Sequence, residues 1–299
     1  MSGPKSQHYQ IDDFTFEDGT GPTSIQLAFL DINPTADKVA LVLTCFRGRL
    51  QSTLNFSHGT LKEHRVIVVA LFGNGESSSP SNMANFPPIG ELPRLRSCSA
   101  PVNSLASQNP SYRCGARTSR HNYQFLEGPK AALQYSADYR KGDSTRPSSK
   151  PLGGLRAFGK AYSAWLTSPE WFEKEMYQSL GYKTLSDWDK DTAGTNYHNW
   201  HPDDLLAMVG MWQRGDITLI SGDVSLQETL SRIKARVLVM PCSTDQYFRW
   251  EASETEARVI PHSTFKVIPS VWGHLAGLGC NPADKDFMDE AITWFLKEQ

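Results

Sequence analysis

Four short apolar runs along the chain have the length and β-branched content of strands buried in a parallel sheet. They read KVALVLTCF, HRVIVVALF, VLVM and FKVI, at residues 38–46, 64–72, 237–240 and 265–268. Residues 9–30 alternate between polar and apolar side chains around the turn sequence DGTGPTS, which predicts two antiparallel strands at a sheet edge. The pattern predicts an α/β fold with a doubly wound, mostly parallel sheet, in which the first run is buried on both faces.

Helical periodicity fills other parts of the chain. Apolar and aromatic residues recur at helical spacing over Ala157–Trp165, Trp171–Gly181 and Asp203–Gln213. Residues 50–61, between the first two predicted central strands, are compatible with a connecting helix. We therefore expect residues 1–117 to form the N-terminal part of the core, 118–230 a helical insertion and 231–299 the C-terminal part of the core.

The last two predicted strands are each followed by a polar residue of catalytic type. Asp245 lies in PCSTDQYF, and His274 lies in WGHLAG 29 positions later, the spacing of one strand–helix–strand unit. Because the carboxyl ends of parallel strands meet at one edge of a sheet, the two side chains are expected to lie together. In this order they match the acid and the base of a nucleophilic triad. The alternatives are a turn or cap role for the Asp and a structural role for the His.

Two loops rich in small residues follow the first pair of predicted central strands. They read TCFRG, ending at Gly48, and GNGESSSP, at residues 73–80. Such loops leave backbone N–H groups pointing into a cleft, as an oxyanion hole requires, although a plain βα turn is the alternative. GNGESSSP lacks both phosphate-binding patterns, GxxxxGK[ST] and GxGxxG.

Composition narrows the possible partners and compartment. With 30 Lys and Arg against 32 Asp and Glu, the chain is not expected to bind nucleic acid or an anionic membrane. The five cysteines are odd in number and show no CxxC or metal-ligand spacing, which favours a reducing compartment. No secretory signal or membrane-spanning run is apparent, so a cytoplasmic protein without a metal or cofactor is expected.

Six segments together resemble the homoserine O-acetyltransferases and their α/β-hydrolase relatives, from about residue 10 to residue 297. They are TCFRG, LFGNGESSSPSN, CGARTSRHNYQFLEGPKAAL, HPDDLLAMVGMWQRGD, PCSTDQYF and WGHLAG. The resemblance implies an α/β-hydrolase sheet with Asp245 as the triad acid and His274 as the base. It places the backbone of Cys45 and Phe46 at the oxyanion-hole loop, with Arg47 beside it as a candidate for substrate binding.

The resemblance also implies that the helices of residues 118–230 form a lid over an acyl pocket. Trp165, Trp200 or Trp212 would then face the pocket, with ordinary core packing as the alternative. Arg117 follows CGA, where a strand would end, and is a candidate for binding a substrate carboxylate. A surface arginine is the alternative for that residue.

The nucleophile is where this chain departs from the family pattern. The family places a Ser in a G-x-S-x-G-like elbow, a sharp strand-to-helix turn, between the GNGES and CGARTS segments. The interval from Ser81 to Arg113 contains no such elbow and no apolar run longer than two residues. We therefore expect the central nucleophile strand to be missing, roughly from Leu95 to Arg113, with poor folding or an altered sheet as the result. The candidates for a replacement nucleophile, none with an elbow around it, are Ser77–Ser79, Cys98, Ser99 and Cys114.

The sequence thus predicts a homoserine O-acetyltransferase-like acyltransferase or esterase that uses a nucleophile, His274 and Asp245, with a role in secondary metabolism as one expectation. An acyl-CoA or an ester would be the co-substrate, and the partner a small molecule. The alternative is a catalytically inactive relative or a truncated gene product. Transfer and hydrolysis share this machinery, so the sequence leaves them open, as it does the oligomeric state.

Overall fold

The computed structural model describes residues 4–16, 19–54, 57–87, 116–139, 150–221 and 225–297. Within these ranges the strands are β1 (Gln7–Phe14), β2 (Thr23–Ile32), β3 (Val39–Leu43), β4 (Arg65–Val69), β5 (Val237–Val239) and β6 (Ser263–Phe265). The α-helices are α1 (Arg120–Gln134), α2 (Leu152–Ser163), α3 (Pro169–Glu173), α4 (Leu185–Trp188), α5 (Pro202–Gln213), α6 (Thr218–Ser221), α7 (Leu226–Ser231), α8 (Trp250–Val259) and α9 (Pro282–Lys297). Short 3₁₀ helices cover Leu50–Ser52, Met176–Leu180 and Gly273–Leu278, and a π-helical turn covers Asp189–Ala193.

Strands β1 to β4 form one sheet in the order β1-β2-β4-β3. The first two strands pair antiparallel, β2 pairs antiparallel with β4, and β3 pairs parallel with β4. This confirms the predicted edge hairpin and the presence of two strands after it, of which β4 is central in the described sheet. Val66 and Val68 of β4 are 2% and 0% exposed and pack with Leu30 and Ala40, which places a core on this face of the sheet.

The predicted burial of β3 on both faces is wrong for the residues that the structure describes. Val39 and Leu43 are 44% and 50% exposed, although Ala40 between them is buried. The reason is that β3 is the outer strand of its sheet, with β4 as its one described neighbour. The predicted loss of the nucleophile strand, between Leu95 and Arg113, lies outside the described residues.

Strands β5 and β6 pair parallel as a second sheet, with α8 between them in the chain. This confirms the predicted strand–helix–strand unit, but β6 covers Ser263–Phe265 and shares only Phe265 with the predicted strand at 265–268. A further parallel bridge joins Cys242 to Ile268, just beyond the two strands. Helix α9 shares a buried cluster with β5 through Ile292 and Leu238. It is also linked to the segment between β3 and β4, because the Thr60 hydroxyl donates a hydrogen bond of 2.6 Å to the carboxylate of Asp289.

The helices of residues 118–230 begin where local chemistry favours a helix start. The Ser119 hydroxyl accepts the N–H of Asn122 at the start of α1, and Pro202 occupies the first turn of α5. Helices α2 and α5 confirm the predictions for residues 157–165 and 203–213, with α2 starting earlier. The predicted helix at 171–181 is wrong, because Glu175 has a positive φ of 49° and separates α3 from a 3₁₀ helix.

The connecting helix expected at residues 50–61 is also wrong. Among the described residues of this stretch only Leu50–Ser52 is helical, as a single 3₁₀ turn. The Thr53 hydroxyl donates to the Arg49 carbonyl at 2.8 Å, and the Ser57 hydroxyl donates to the Leu54 carbonyl at 2.7 Å. Such short side chains compete for backbone carbonyls and favour turns over a continuous helix.

The described helices were also compared with the length and hydropathy that a bilayer crossing requires. Not one of the helices in these ranges is both long and apolar enough to cross a membrane.

Candidate active site

The loop after β5 holds the carboxylate of Asp245 in one orientation. Its Oδ1 accepts two backbone N–H groups, from Tyr247 at 2.7 Å and from Phe248 at 3.1 Å. The side chain is 8% exposed. Because Oδ1 accepts the backbone N–H groups of the turn after β5, Oδ2 is left to accept a hydrogen bond from another group.

That second partner is His274. The distance from His274 Nδ1 to Asp245 Oδ2 is 3.0 Å, the length of a normal hydrogen bond. The imidazole is 24% exposed and lies against the rings of Tyr247 and Phe248, whose centroids are 4.8 Å and 5.5 Å away. With Nδ1 donating to the carboxylate, Nε2 is left as an acceptor, the state in which a histidine takes a proton from a nucleophile.

The loop that carries His274 is fixed from two sides. The N–H of Gly273 donates to the Thr244 hydroxyl at 3.2 Å, next to Asp245 in the chain. On the other side, a Cβ at Gly273 would lie 2.7 Å from the carbonyl carbon of Thr167, and the residue has a positive φ of 56°. Position 273 therefore requires glycine. Sequence reasoning missed the positioning roles of Thr244 and Gly273, although both are direct neighbours of the two candidates.

The loop after β3 makes a tight turn at the expected oxyanion position. The Cys45 carbonyl accepts the N–H of Gly48 at 2.9 Å, and Arg47 between them has a positive φ of 63°. Within the described ranges no backbone oxygen accepts the N–H of Phe46. Burial raises the pKa of the Cys45 thiol, which therefore stays protonated at neutral pH.

Tyr247, which contacts the ring of His274, belongs to a larger group of aromatic side chains that pack against one another. We call Phe46, Phe125, Tyr162, Trp212 and Tyr247 the aromatic wall. Their ring centroids are 5.1 to 6.3 Å apart where they touch. Burial raises the pKa values of Tyr162 and Tyr247, so both phenols are neutral.

The three tryptophans named from sequence are placed differently. Trp212 belongs to the aromatic wall, and Trp165 extends it through a ring contact of 4.8 Å with Phe125. Trp200 is buried, and the guanidinium of Arg49 stacks on its ring, 3.8 Å from the ring centroid. The lid and pocket roles of these residues remain predictions.

The two arginines named from sequence also differ in their surroundings. Arg117 forms an ion pair with Asp216 at 2.7 Å, and 47% of its side chain is exposed. Arg47 is half-buried, and its Nη1 lies 3.5 Å from the hydroxyl of Tyr197, with the guanidinium 5.0 Å from that ring's centroid. Arg47 therefore lies among aromatic side chains, while Arg117 faces an acid.

The serines of the GNGESSSP loop fasten it to β2. Ser77 is fully buried, donates to the Ala70 carbonyl at 2.8 Å and accepts the N–H of Ala28 at 2.9 Å. The hydroxyl of Ser78 accepts the N–H of Gln26 at 2.9 Å. Ser77 and Ser78 therefore stabilise the position of this loop. Ser79 is also fully buried, and its hydroxyl lies 3.1 Å from that of Ser81. The remaining candidates for a nucleophile, Cys98, Ser99 and Cys114, lie outside the described residues.

Replacing Ser77 with Ala is expected to lower the free energy of unfolding by about 1–3 kcal/mol, because the Ala28 N–H would be left buried without an acceptor. Urea unfolding of the variant and of Ser231→Ala, a matched change at an exposed helix end, measures the difference. If Ser77→Ala abolished ester turnover while leaving stability unchanged, the structural assignment of Ser77 would be wrong.

A buried carboxylate joins the inserted helices to the same loop. Asp204 of α5 is 1% exposed and accepts both the N–H and the hydroxyl of Ser81, at 2.9 Å and 2.6 Å. A Cβ at Gly75 would lie 2.7 Å from its Oδ2. Burial raises the pKa of Asp204 and the Ser81 hydrogen bonds oppose that shift. Sequence reasoning missed this contact, whose one signal is the second Asp of HPDDLL.

Neither a metal centre nor a complete triad appears in the part of the chain that the structure describes. There, no group of three His, Cys, Asp or Glu side chains is arranged to hold a metal ion. Asp245 is the one described side chain that hydrogen bonds to the ring of His274, so no described serine or cysteine does so.

Comparisons with known proteins find esterases among the similar sequences. No protein-family model matches the chain. It is 32% identical over 181 residues to the ethyl acetate hydrolase of Pseudomonas veronii, a match covering 60% of this chain and 51% of that relative. It is 26% identical over 160 residues to a probable esterase of Corynebacterium glutamicum, covering 54% and 45% respectively. These matches thus span about half the length of the two curated relatives.

Solved structures match over nearly the whole chain. The acetyl esterase MekB has a TM-score of 0.79 at 24% identity, covering 98% of this chain and 97% of that one. An acetylester hydrolase from Corynebacterium glutamicum has a TM-score of 0.81 at 19% identity, covering 98% and 96%. The homoserine O-acetyltransferase of Bacillus anthracis has a TM-score of 0.73 at 14% identity, covering 100% and 99%. Identities this low establish a shared architecture and nothing finer, and this chain therefore has the α/β-hydrolase fold of these esterases and acetyltransferases.

Proposed function

We propose that the site is that of an acyl-ester hydrolase, in which His274 carries the proton and Asp245 orients it. The observation that carries the proposal is the 3.0 Å hydrogen bond between His274 Nδ1 and Asp245 Oδ2. The two backbone N–H groups on Oδ1 add to it, because they fix the carboxylate before the histidine becomes charged.

The proposed reaction is acyl transfer in two halves. A hydroxyl or thiol attacks the ester carbonyl carbon while His274 Nε2 takes its proton, and the carbonyl oxygen becomes an oxyanion, for which the Phe46 N–H is the candidate donor. Collapse expels the alcohol, which receives the proton from His274. Water then attacks the acyl group in the same way and regenerates the nucleophile.

Hydrolysis is favoured over transfer by the two curated relatives, which are named as an ethyl acetate hydrolase and a probable esterase. We infer that a short-chain acetyl ester is the substrate and that residues 118–230 act as its lid. Acetyl transfer to a homoserine-like hydroxyl is the finer possibility that the resemblance raises. The ratio of acetate to acetylated acceptor, measured with added homoserine, distinguishes the two.

A second candidate is an inactive relative of these enzymes. It is favoured by the surroundings of His274, since no described serine or cysteine hydrogen bonds to its ring. It is also favoured by the exposed outer strand β3, where Val39 and Leu43 lack a neighbouring strand among the described residues. An active enzyme would have to draw its nucleophile from outside the described residues, where Cys98, Ser99 and Cys114 are the candidates.

Covalent trapping decides between these two functions. The purified chain is incubated with a fluorophosphonate and the modified residue is located by mass spectrometry, with 4-nitrophenyl acetate turnover followed in parallel. We expect one labelled serine or cysteine and a loss of turnover proportional to the label. A cooperatively folded chain with neither label nor turnover would establish the inactive alternative.

A further inference from the structure

The first turn of α9 contributes a buried acid to the region of the candidate site. Asp284 is 4% exposed, and its Oδ2 accepts the hydroxyl of Ser270 at 2.7 Å. Ser270 is itself only 8% exposed. A carboxylate that has lost its water needs hydrogen bonds from the protein, and a hydroxyl that donates to a charged oxygen is held strongly. The pair therefore fixes the side chain of Ser270 in one orientation.

Ser270 hydrogen bonds to the segments of both candidate residues. Its hydroxyl oxygen accepts the N–H of Trp272 at 3.1 Å, in the segment that leads to the histidine. Its carbonyl oxygen accepts the hydroxyls of Thr244 at 2.8 Å and of Ser243 at 3.2 Å, in the loop that carries the acid. One residue anchored by α9 therefore holds two loops that are separate in the sequence.

The contacts close into a ring around the acid and the base. The Thr244 hydroxyl donates to the carbonyl of Ser270 and accepts the N–H of Gly273 at 3.2 Å. Thr244 directly precedes Asp245, and Gly273 directly precedes His274. The 3.0 Å distance between the acid and the base is thus spanned by a second connection, which runs through Ser270.

The thiol of Cys242 reports that both carboxylates act on this loop. Burial raises the pKa of Cys242, and the charges of Asp245 and Asp284 raise it further. The thiol therefore stays protonated at neutral pH, and it donates to the Ser270 carbonyl at 3.4 Å. Three side chains of the acid's loop thus converge on one carbonyl oxygen, whose position depends on Asp284.

The alternative role for Asp284 is local to its helix. A negative charge in the first turn stabilises a helix through the partial positive charge of that end. That role needs the charge and does not need Ser270. The two roles therefore differ in the response to a neutral side chain that still accepts a hydrogen bond.

We propose that Asp284 is a positioning residue for His274, which it places through Ser270 at hydrogen-bonding distance from Asp245. The effect on turnover rests on the proposed function, but the effect on the hydrogen bond between the acid and the base does not. A displacement of about 1 Å at a reacting group costs roughly a hundredfold in rate, so a contact that acts only on position can have a large effect.

The first test is a set of kinetic measurements on Asp284→Ala, Ser270→Ala and the double variant. We expect each single change to lower kcat for 4-nitrophenyl acetate by roughly 10- to 100-fold, with KM within about threefold of the unmodified chain. The double variant should be no slower than the slower single one, because both changes break the same connection. Asp284→Asn should keep most of the activity, since its amide oxygen still accepts the Ser270 hydroxyl.

The second test reads the hydrogen bond itself and requires no turnover. The proton on His274 Nδ1 is followed by NMR and assigned by its loss in His274→Ala. Asp284→Ala and Ser270→Ala should shift this resonance and speed its exchange with water, and Asp284→Asn should restore it. Asp289→Ala is the matched control on the same helix, where it breaks the contacts with Thr60 and Lys285. It should leave both kcat and the resonance unchanged.

Unchanged kcat and an unchanged resonance in folded Ser270→Ala would overturn the inference. So would a loss in Asp284→Asn as large as in Asp284→Ala, because that result assigns the acid to the helix start. If Asp284→Ala fails to fold, Ser270→Ala and Asp284→Asn still decide the question. A chain without turnover whose resonance responds as expected would refute the proposed function and leave the positioning role standing. Full turnover in Ser270→Ala would do the reverse.

Discussion

Replacing His274 with Ala is expected to lower the rate of ester turnover by about ten-thousand- to million-fold. The rate that remains would come from substrate binding and the other groups of the site. The imidazole is the only group in the described part of the chain that is oriented by a buried carboxylate and has its second ring nitrogen left as an acceptor. Without it, no described side chain takes the proton of the nucleophile or returns it to the leaving alcohol. The measurement is the initial rate of 4-nitrophenyl acetate hydrolysis, corrected for the spontaneous reaction.

Replacing Asp245 with Asn should cost roughly ten-thousand-fold while leaving the fold intact. The amide keeps an oxygen for the N–H groups of Tyr247 and Phe248, and it then turns its NH₂ group toward the ring of His274. A donor at that position favours the imidazole tautomer with its proton on Nε2, which is unable to act as a base toward the nucleophile.

The control for both variants is His262→Ala, an exposed histidine on the loop before β6. Its removal should leave the rate within about twofold of the unmodified chain, since surface substitutions away from a site have small effects. If His274→Ala retained full turnover in a cooperatively folded protein, the proposed role of the Asp245–His274 pair would be wrong. Equal losses in His262→Ala and His274→Ala would point to a general effect on folding.

Replacing Trp171 with Ala is expected to reduce the free energy of unfolding by about 3–5 kcal/mol. The indole is fully buried, and its ring centroid lies 5.5 Å from that of Trp188 and 5.9 Å from that of Trp272. An alanine would leave a cavity between α3 and the loop of His274, because Trp272 lies two residues before the histidine. Turnover should therefore fall as well, through displacement of the imidazole.

Trp294→Ala is the matched control for this change. Trp294 is 38% exposed on α9, with Lys266 over its ring at 4.3 Å, so its loss should cost less than about 1 kcal/mol. Urea unfolding of both variants, followed by far-ultraviolet circular dichroism, measures the two free energies. A loss in Trp171→Ala no larger than that in Trp294→Ala would contradict the assignment of Trp171 to the central packing.

Much of the fold could be predicted from the sequence because its signals are local. The apolar runs at 38–46 and 64–72 became the parallel strands β3 and β4, and the alternation before them became the β1–β2 hairpin. Periodicity also predicted α5, which buries most of its residues. It failed at residues 50–61 and at 171–181, where short polar side chains or a left-handed Glu175 end a helix that the pattern alone would continue.

The candidate site was predictable to a smaller extent. The spacing of 29 residues between Asp245 and His274 was enough to expect contact, since one strand–helix–strand unit brings two strand ends together. The second Asp of HPDDLL did not reveal that its partner would be Ser81, and no pattern indicated that Thr244 would accept the N–H of Gly273. Contacts between separate segments depend on how those segments pack, and no local pattern records that.

The sequence by itself determined the α/β class, the order of the strands along the chain, and the acid and histidine at two adjacent strand ends. Hydrophobic periodicity and the order of strands along the chain can be determined from the sequence because they do not depend on how the segments pack together. Only the tertiary structure decided, among the described residues, that β3 has β4 as its one neighbouring strand, that Ser77 holds its loop to β2, and that Arg117 pairs with Asp216. Burial and charge pairing are relations between residues far apart in the chain, so they exist only once the chain has folded.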